Sequence, residues 1–170
     1  NDLKLRASVG LTGNNSITNY GAIGLMSTAN YVFGNGTGNV SSGSVQSSIS
    51  NSDLTWEKTK QYDVGLDVVT LNNRLTFTID AYLRKTTDLL LNVKIPSASG
   101  FTNAWQNIGK MDNKGLEISL NSINFDRKDF SWTTNFNISF LRNKVVELGP
   151  SGDPIYSAGG VGDTNITMIG

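Results

Sequence analysis

Apolar and polar side chains alternate with a period of two over most of this chain, the pattern of β-strands whose faces meet different surroundings. The spacing predicts five long strands. In the first, about 3–12, Leu3, Leu5, Ala7, Val9 and Leu11 oppose Lys4, Arg6, Ser8, Gly10 and Thr12. In the second, about 56–70, Tyr62, Val64, Leu66 and Val68 alternate with Gln61, Asp63, Gly65 and Asp67. The third, about 74–89, sets Leu75, Phe77, Ile79, Ala81 and Leu83 against Arg74, Thr76, Thr78, Asp80, Tyr82 and Arg84. The fourth, about 113–123, alternates Leu116, Ile118 and Leu120 with Glu117, Ser119 and Asn121. The fifth, about 130–146, alternates Phe130, Trp132, Phe136, Ile138 and Phe140 with Ser131, Thr133, Asn135, Asn137 and Ser139. No stretch has helical periodicity. Pro96, Pro150 and Pro154 fall between the runs, as strand pairing requires.

The connections alternate in length. Leu71-Asn72-Asn73 and residues 124–129 are short, and adjacent asparagines tolerate the positive φ of a tight hairpin. Residues 13–55, 90–112 and 147–170 are expected to be long loops, with one further strand possible between Tyr20 and Phe33.

Two environments give this period: a soluble sandwich, or a transmembrane barrel with lipid outside and water within. Each run is longer than the roughly 5–6 residues usual for soluble strands and suits the roughly 9–11 that cross a bilayer. Long and short connections in strict alternation also fit a barrel with short turns on one side. Phe125, Phe130 and Trp132 lie beside a short turn, where a membrane interface would fall. The charges Asp63, Asp67, Arg74, Asp80, Arg84 and Glu117 all take the polar side. A sandwich core would exclude charge from the apolar side equally, so this point supports the register more than the solvent.

Composition narrows the chemistry. The 170 residues include 14 Lys plus Arg, 14 Asp plus Glu, no His and no Cys. Disulfides, thiolate metal sites, cysteine nucleophiles and Ser-His-Asp triads are thereby excluded. Zero formal charge without a basic cluster argues against a nucleic-acid partner. Paired carboxylates of a glycosidase are chemically possible, but nothing places two in a pocket. Asp153 with Asp163 has no calcium-loop spacing. No metal, cofactor or catalytic residue is expected.

Several stretches, in order, resemble one family. Asn51-Ser52-Asp53-Leu54-Thr55-Trp56-Glu57 is similar to the NPDL-W-E stretch of SusC/RagA-type TonB-dependent outer-membrane transporters, with Ser52 where that family usually has Pro. Tyr62-Asp63-Val64-Gly65-Leu66-Asp67, Leu71-Asn72-Asn73-Arg74-Leu75 and Arg84 through Leu91 continue the likeness. So do Ile95 through Phe101, Gln106-Asn107-Ile108-Gly109, Asn113-Lys114-Gly115-Leu116-Glu117, Asn143-Lys144-Val145 and Gly152-Asp153-Pro154. Upstream, Leu5 through Asn14 also resembles the family.

The resemblance implies an all-β, antiparallel, up-and-down transmembrane barrel. The family's barrels have 22 strands around an N-terminal plug, so residues 1–170 would be a partial wall of five or six strands. It implies import of glycans, peptides or other large nutrients across the bacterial outer membrane. A SusD-like surface lipoprotein would serve as lid, and the TonB system would act through a plug outside this stretch. Asp63, Asp67, Arg74, Asp80, Arg84 and Glu117 would face the lumen and plug, and opposite charges such as Arg74, Arg84, Asp63, Asp67 and Asp80 could form a cross-strand ladder. In the outward loops, Tyr31, Phe33, Phe101 and Trp105 could stack on sugars, and Asn103, Gln106 and Asn107 could bond hydroxyls; the alternative is that they pack the loops or dock the lipoprotein. Other TonB-dependent receptors, such as siderophore importers, and a secreted glycan-binding β-sandwich are the rival classes.

Overall fold

The computed structural model describes residues 1–17, 19–33, 38–149, 152–158 and 164–170. Its centre is one five-stranded antiparallel sheet. β1 (Asp2–Asn14), β4 (Glu57–Thr70), β5 (Leu75–Lys94), β6 (Asn103–Arg127) and β7 (Phe130–Leu148) lie side by side in that order. Two small hairpins flank it: β2 (Met26–Val32) with β3 (Val40–Gln46), and β8 (Ile155–Ala158) with β9 (Thr164–Thr167). The remaining helical turn, Ser97–Ser99, is three residues long. No helix among the described residues is long and apolar enough to cross a membrane, which says nothing of strands.

The short turns follow from their residues. Leu71, Asn72 and Asn73 all take positive φ, at 55°, 54° and 66°, and Arg74 N–H closes the loop on Leu71 O at 3.2 Å. The other turn is tighter than the expected 124–129. β6 runs on to Arg127, which pairs with Phe130, so only Lys128 and Asp129 remain.

The expected loop 90–112 is corrected more severely: β5 continues to Lys94 and β6 begins at Asn103. Its tip is Ile95–Thr102, closed by Ile95 N–H on Thr102 O at 3.0 Å. Bulges explain the discrepancy, because each extra residue breaks the period of two. Register shifts fall between Thr86 and Leu89, between Leu89 and Leu90, and between Lys110 and Met111. Asp88 sits in the first of these with φ 58°. A fourth shift, at Ile123/Phe125, admits Asn124 as the extra residue. Phe125 thereby pairs with Trp132, and the two rings stack with centroids 5.9 Å apart. Within the expected loops 13–55 and 147–170, β2 falls inside the stretch from Tyr20 to Phe33 that could hold a further strand, whereas β3 and the β8–β9 hairpin had no clear alternation to announce them.

The register lines up like with like. One row reads Leu5, Leu66, Ile79, Ile118, Ile138; the rows on either side read Leu3, Val68, Phe77, Leu120, Phe136 and Ala7, Val64, Ala81, Leu116, Phe140. Between them lies the polar row Arg6, Gly65, Asp80, Glu117, Ser139. Among the described residues, nothing covers the apolar rows. Leu5 and Val9 are each 75% exposed and Phe136 is 53% exposed, while the buried apolar side chains are just Ala104 and Leu148 among the described residues. So large a bare apolar sheet face is foreign to a soluble monomer.

The outline of that face is diagonal. At the long-loop end, apolar residues reach Leu11 on β1, recede to Tyr62 and Leu83 beside Val9, and stop at Leu116 and Phe140 beside Ala7. At the turn end the step reverses, with apolar positions on β7 extending to Trp132 and Phe130. A recession from Leu11 to the level of Ala7 over four strand steps is a slope of about 35°, at about 3.4 Å per residue and about 4.8 Å per strand. Barrel strands tilt by about 35–45° to the membrane normal, so a flat hydrocarbon slab crossing them leaves this diagonal. The fold is a partial wall of an antiparallel β-barrel.

Candidate functional site

On the polar face, Arg6 is the centre of the charge network. Its Nε donates to Asp67 Oδ2 at 2.9 Å and its Nη2 to Asp67 Oδ1 at 3.1 Å. Nη2 also lies 2.9 Å from Asp80 Oδ1, on the strand beyond. The guanidinium therefore spans β4. It can do so because Gly65 stands directly between Arg6 and Asp80 in the register. A Cβ at position 65 would collide with Asp80 Oδ1 and come within 2.8 Å of Arg6 Cζ.

A second chain of bonds runs one row pair further on. Arg84 Nε donates to Gln61 Oε1 at 3.0 Å, Gln61 Nε2 to Asp63 Oδ1 at 2.9 Å, and Ser8 Oγ to Asp63 Oδ2 at 3.1 Å. The expected ladder thus exists with other members. Arg6 supplies the cation for two acids, and Arg84 meets an amide. Arg74 is displaced from the set altogether. It lies in the turn, and its guanidinium donates to the carbonyls of Ile123 at 3.1 Å and Asn124 at 2.7 Å. Glu117 pairs with Asp80 in the register and takes part in no ion pair among the described residues. Gly115 repeats the device seen at Gly65: the Tyr82 ring lies over it, 2.6 Å from where a Cβ would be.

At the long-loop end the motif 51–57 is a clasp. Asn107 Nδ2 donates to the carbonyls of Thr55 at 2.8 Å and Asp88 at 2.7 Å, while its Oδ1 accepts Thr55 N–H at 2.8 Å. Asn51 Nδ2 donates to Trp105 O at 2.9 Å. Glu57 accepts from Asn14 Nδ2 at 2.7 Å and from Leu90 N–H at 2.9 Å. Three separated motifs, 51–57, 84–91 and 106–109, therefore meet at one place.

The candidate recognition residues are divided by this arrangement. Asn107 has its amide committed to the clasp, and Trp105 is half-buried and held through its carbonyl. Tyr31 and Phe33 belong to the β2–β3 hairpin, edge to face with centroids 4.9 Å apart, and both are exposed. Phe101 lies in the Ile95–Thr102 tip and Asn103 opens β6 opposite Lys94. Gln106 lines a cleft of about 290 Å³ with Asn92, Lys94, Leu148, Asp153 and Ile155. Asp163 lies outside the described residues. Sequence reasoning placed Arg6 on the polar face but missed its role; the available signal was Gly65, a blank between Asp63 and Asp67.

These features belong to a barrel wall with one bare apolar face and one charged face, tied together at its loop end. The family model for TonB dependent receptor-like, beta-barrel matches residues 1–165. The chain belongs to this family, and within it to the SusC/RagA type. TonB-dependent receptor P3 of Formosa agariphila is 44% identical over 153 residues, covering 90% of this chain and 15% of that protein. TonB-dependent receptor SusC of Bacteroides thetaiotaomicron is 38% identical over 162 residues, covering 91% of this chain and 16% of that protein. The RagAB peptide importer in its open-open state superposes with TM-score 0.82 at 34% identity, over 100% of this chain and 18% of that one. The chain thus spans a small part of the length of its relatives.

Proposed function

We propose that this chain is wall of a TonB-dependent importer in the bacterial outer membrane, taking up large nutrients. The observation that carries this is the bare apolar face with its diagonal outline, joined to family membership. The charged face lines the lumen and meets a plug that the TonB system moves. The long-loop end faces outward and docks a SusD-like lipoprotein. The family resemblance suits a glycan or a peptide cargo, and likeness to the RagAB peptide importer supports the peptide. Chemistry on the substrate is not required, because import breaks no bond in it.

Cysteine scanning in the full-length transporter tests the topology, since this chain contributes no cysteine of its own. Phe136→Cys should react with a lipid-soluble maleimide and resist a charged one, and Asn135→Cys should do the reverse. Identical labelling of both would overturn the assignment. Uptake of fluorescent oligosaccharide or peptide by cells carrying and lacking the transporter then decides the cargo.

A further inference from the structure

Beyond the apolar rows, towards the long loops, the outward face becomes cationic. Lys60 and Lys85 pair directly across β4 and β5, and Lys114 and Arg142 pair directly across β6 and β7. Lys144 follows two residues beyond Arg142 on the same face. All five side chains are exposed, and none makes a hydrogen bond or ion pair among the described residues. Asp112, between Lys85 and Lys144 in the register, is the one acid among them. Lys58, the next outward position on β4, is already neutralised by Asp88 at 3.1 Å.

Like charges directly opposed across strands repel. On the polar face Arg6 sits between two acids, and one acid pair, Asp80 and Glu117, is directly opposed; the outward face keeps two cation pairs side by side. An external anion would relieve both. The turn end of the sheet has no such excess: Arg74, Arg127 and Lys128 are matched there by Asp2, Asp126 and Asp129. The diagonal outline puts the five cations at the upper edge of the hydrocarbon, following its step from β4 to β7. Long cationic side chains at that level extend to the headgroups.

We propose that Lys60, Lys85, Lys114, Arg142 and Lys144 form a strip that binds the phosphate groups of lipids in the leaflet on the long-loop side. The inference rests on the barrel assignment above. It adds a lipid-recognition site to the outer surface of the wall, separate from the polar face and from the clasp. Bidentate Arg142 and the flanking lysines supply donors that phosphate oxygens accept, and the apolar rows beneath receive the acyl chains.

The test uses the full-length transporter purified in non-ionic detergent, with diphosphoryl lipid A as probe and native mass spectrometry as readout. The variant Lys85→Gln/Lys114→Gln/Arg142→Gln/Lys144→Gln should retain at least about tenfold less lipid than the wild type, the order expected when several charge-assisted contacts are lost. Replacing the three lysines by arginine should preserve retention. Heat-modifiable electrophoretic mobility reports whether each barrel is folded; if the quadruple variant fails to fold, the single variants Lys85→Gln and Lys144→Gln should each show a measurable loss. Equal retention by wild type and folded variants would overturn the proposal. So would equal retention of dephosphorylated lipid A, or full displacement by millimolar inorganic phosphate, which would indicate a free-ion site. Failure of the barrel assignment looks different: the protein would not float with lipid vesicles at all.

Discussion

Arg6 reaches Asp80 across the full width of β4, with Nη2 2.9 Å from Oδ1, because Gly65 leaves the space between them empty. The contact joins three strands through one guanidinium. Gly65→Ala should therefore disrupt assembly more than Gly10→Ala, where an added Cβ meets nothing within 4 Å. The overpacking cost at position 65 is about 1–3 kcal/mol. Folded fraction from heat-modifiable mobility and urea titration checks it; equal midpoints for the two variants would contradict the crossing.

Ile79→Arg and Phe136→Arg place a cation in the middle apolar rows, where the bilayer midplane penalty is about 2–4 kcal/mol. Both should reduce insertion strongly. Thr78→Arg and Asn135→Arg, on the adjacent polar rows, should insert nearly as well as the wild type. Outer-membrane yield of the four variants is the measurement, and a common yield would sink the register.

Asn107→Ala removes three hydrogen bonds from the clasp, to Thr55 in both directions and to Asp88. At about 0.5–1.5 kcal/mol for each bond, the loop at 51–56 should open and become a protease site. Asn107→Asp keeps the acceptor but loses both donated bonds, and should fall between. If Asn107 served only to bind cargo, transport would drop in these variants while protease resistance stayed unchanged.

The turn Leu71–Asn73 holds three successive residues at positive φ. Asn73→Gly should be neutral or mildly stabilising. Asn73→Val should cost about 1–2 kcal/mol, because a β-branched side chain clashes in the left-handed region and lacks the local hydrogen bonding by which Asn tolerates it. Thermal unfolding of the folded barrel in detergent reads the difference.

How much of this was legible beforehand depends on range. The period of two placed the middle of every long strand and sorted Leu5, Ile79 and Phe136 from Arg6, Asp80 and Asn135, because pleating ties a residue's face to its position alone. The paired asparagines announced their turn for the same local reason. The sequence could not show that the alternation survives past Leu89, since the bulge at Asp88 is defined by what β6 presents opposite it. Nor could it show that Arg6, 74 residues from Asp80, is the cation that serves it. The selection of Arg6 over Arg74 and Arg84, the meeting of Asn51, Thr55 and Asn107, and the opposition of Lys60 to Lys85 all depend on which strands are neighbours and in what register. Local pattern assigns each side chain a face, whereas the choice of partner is made by hydrogen-bonded ladders between segments far apart in the chain.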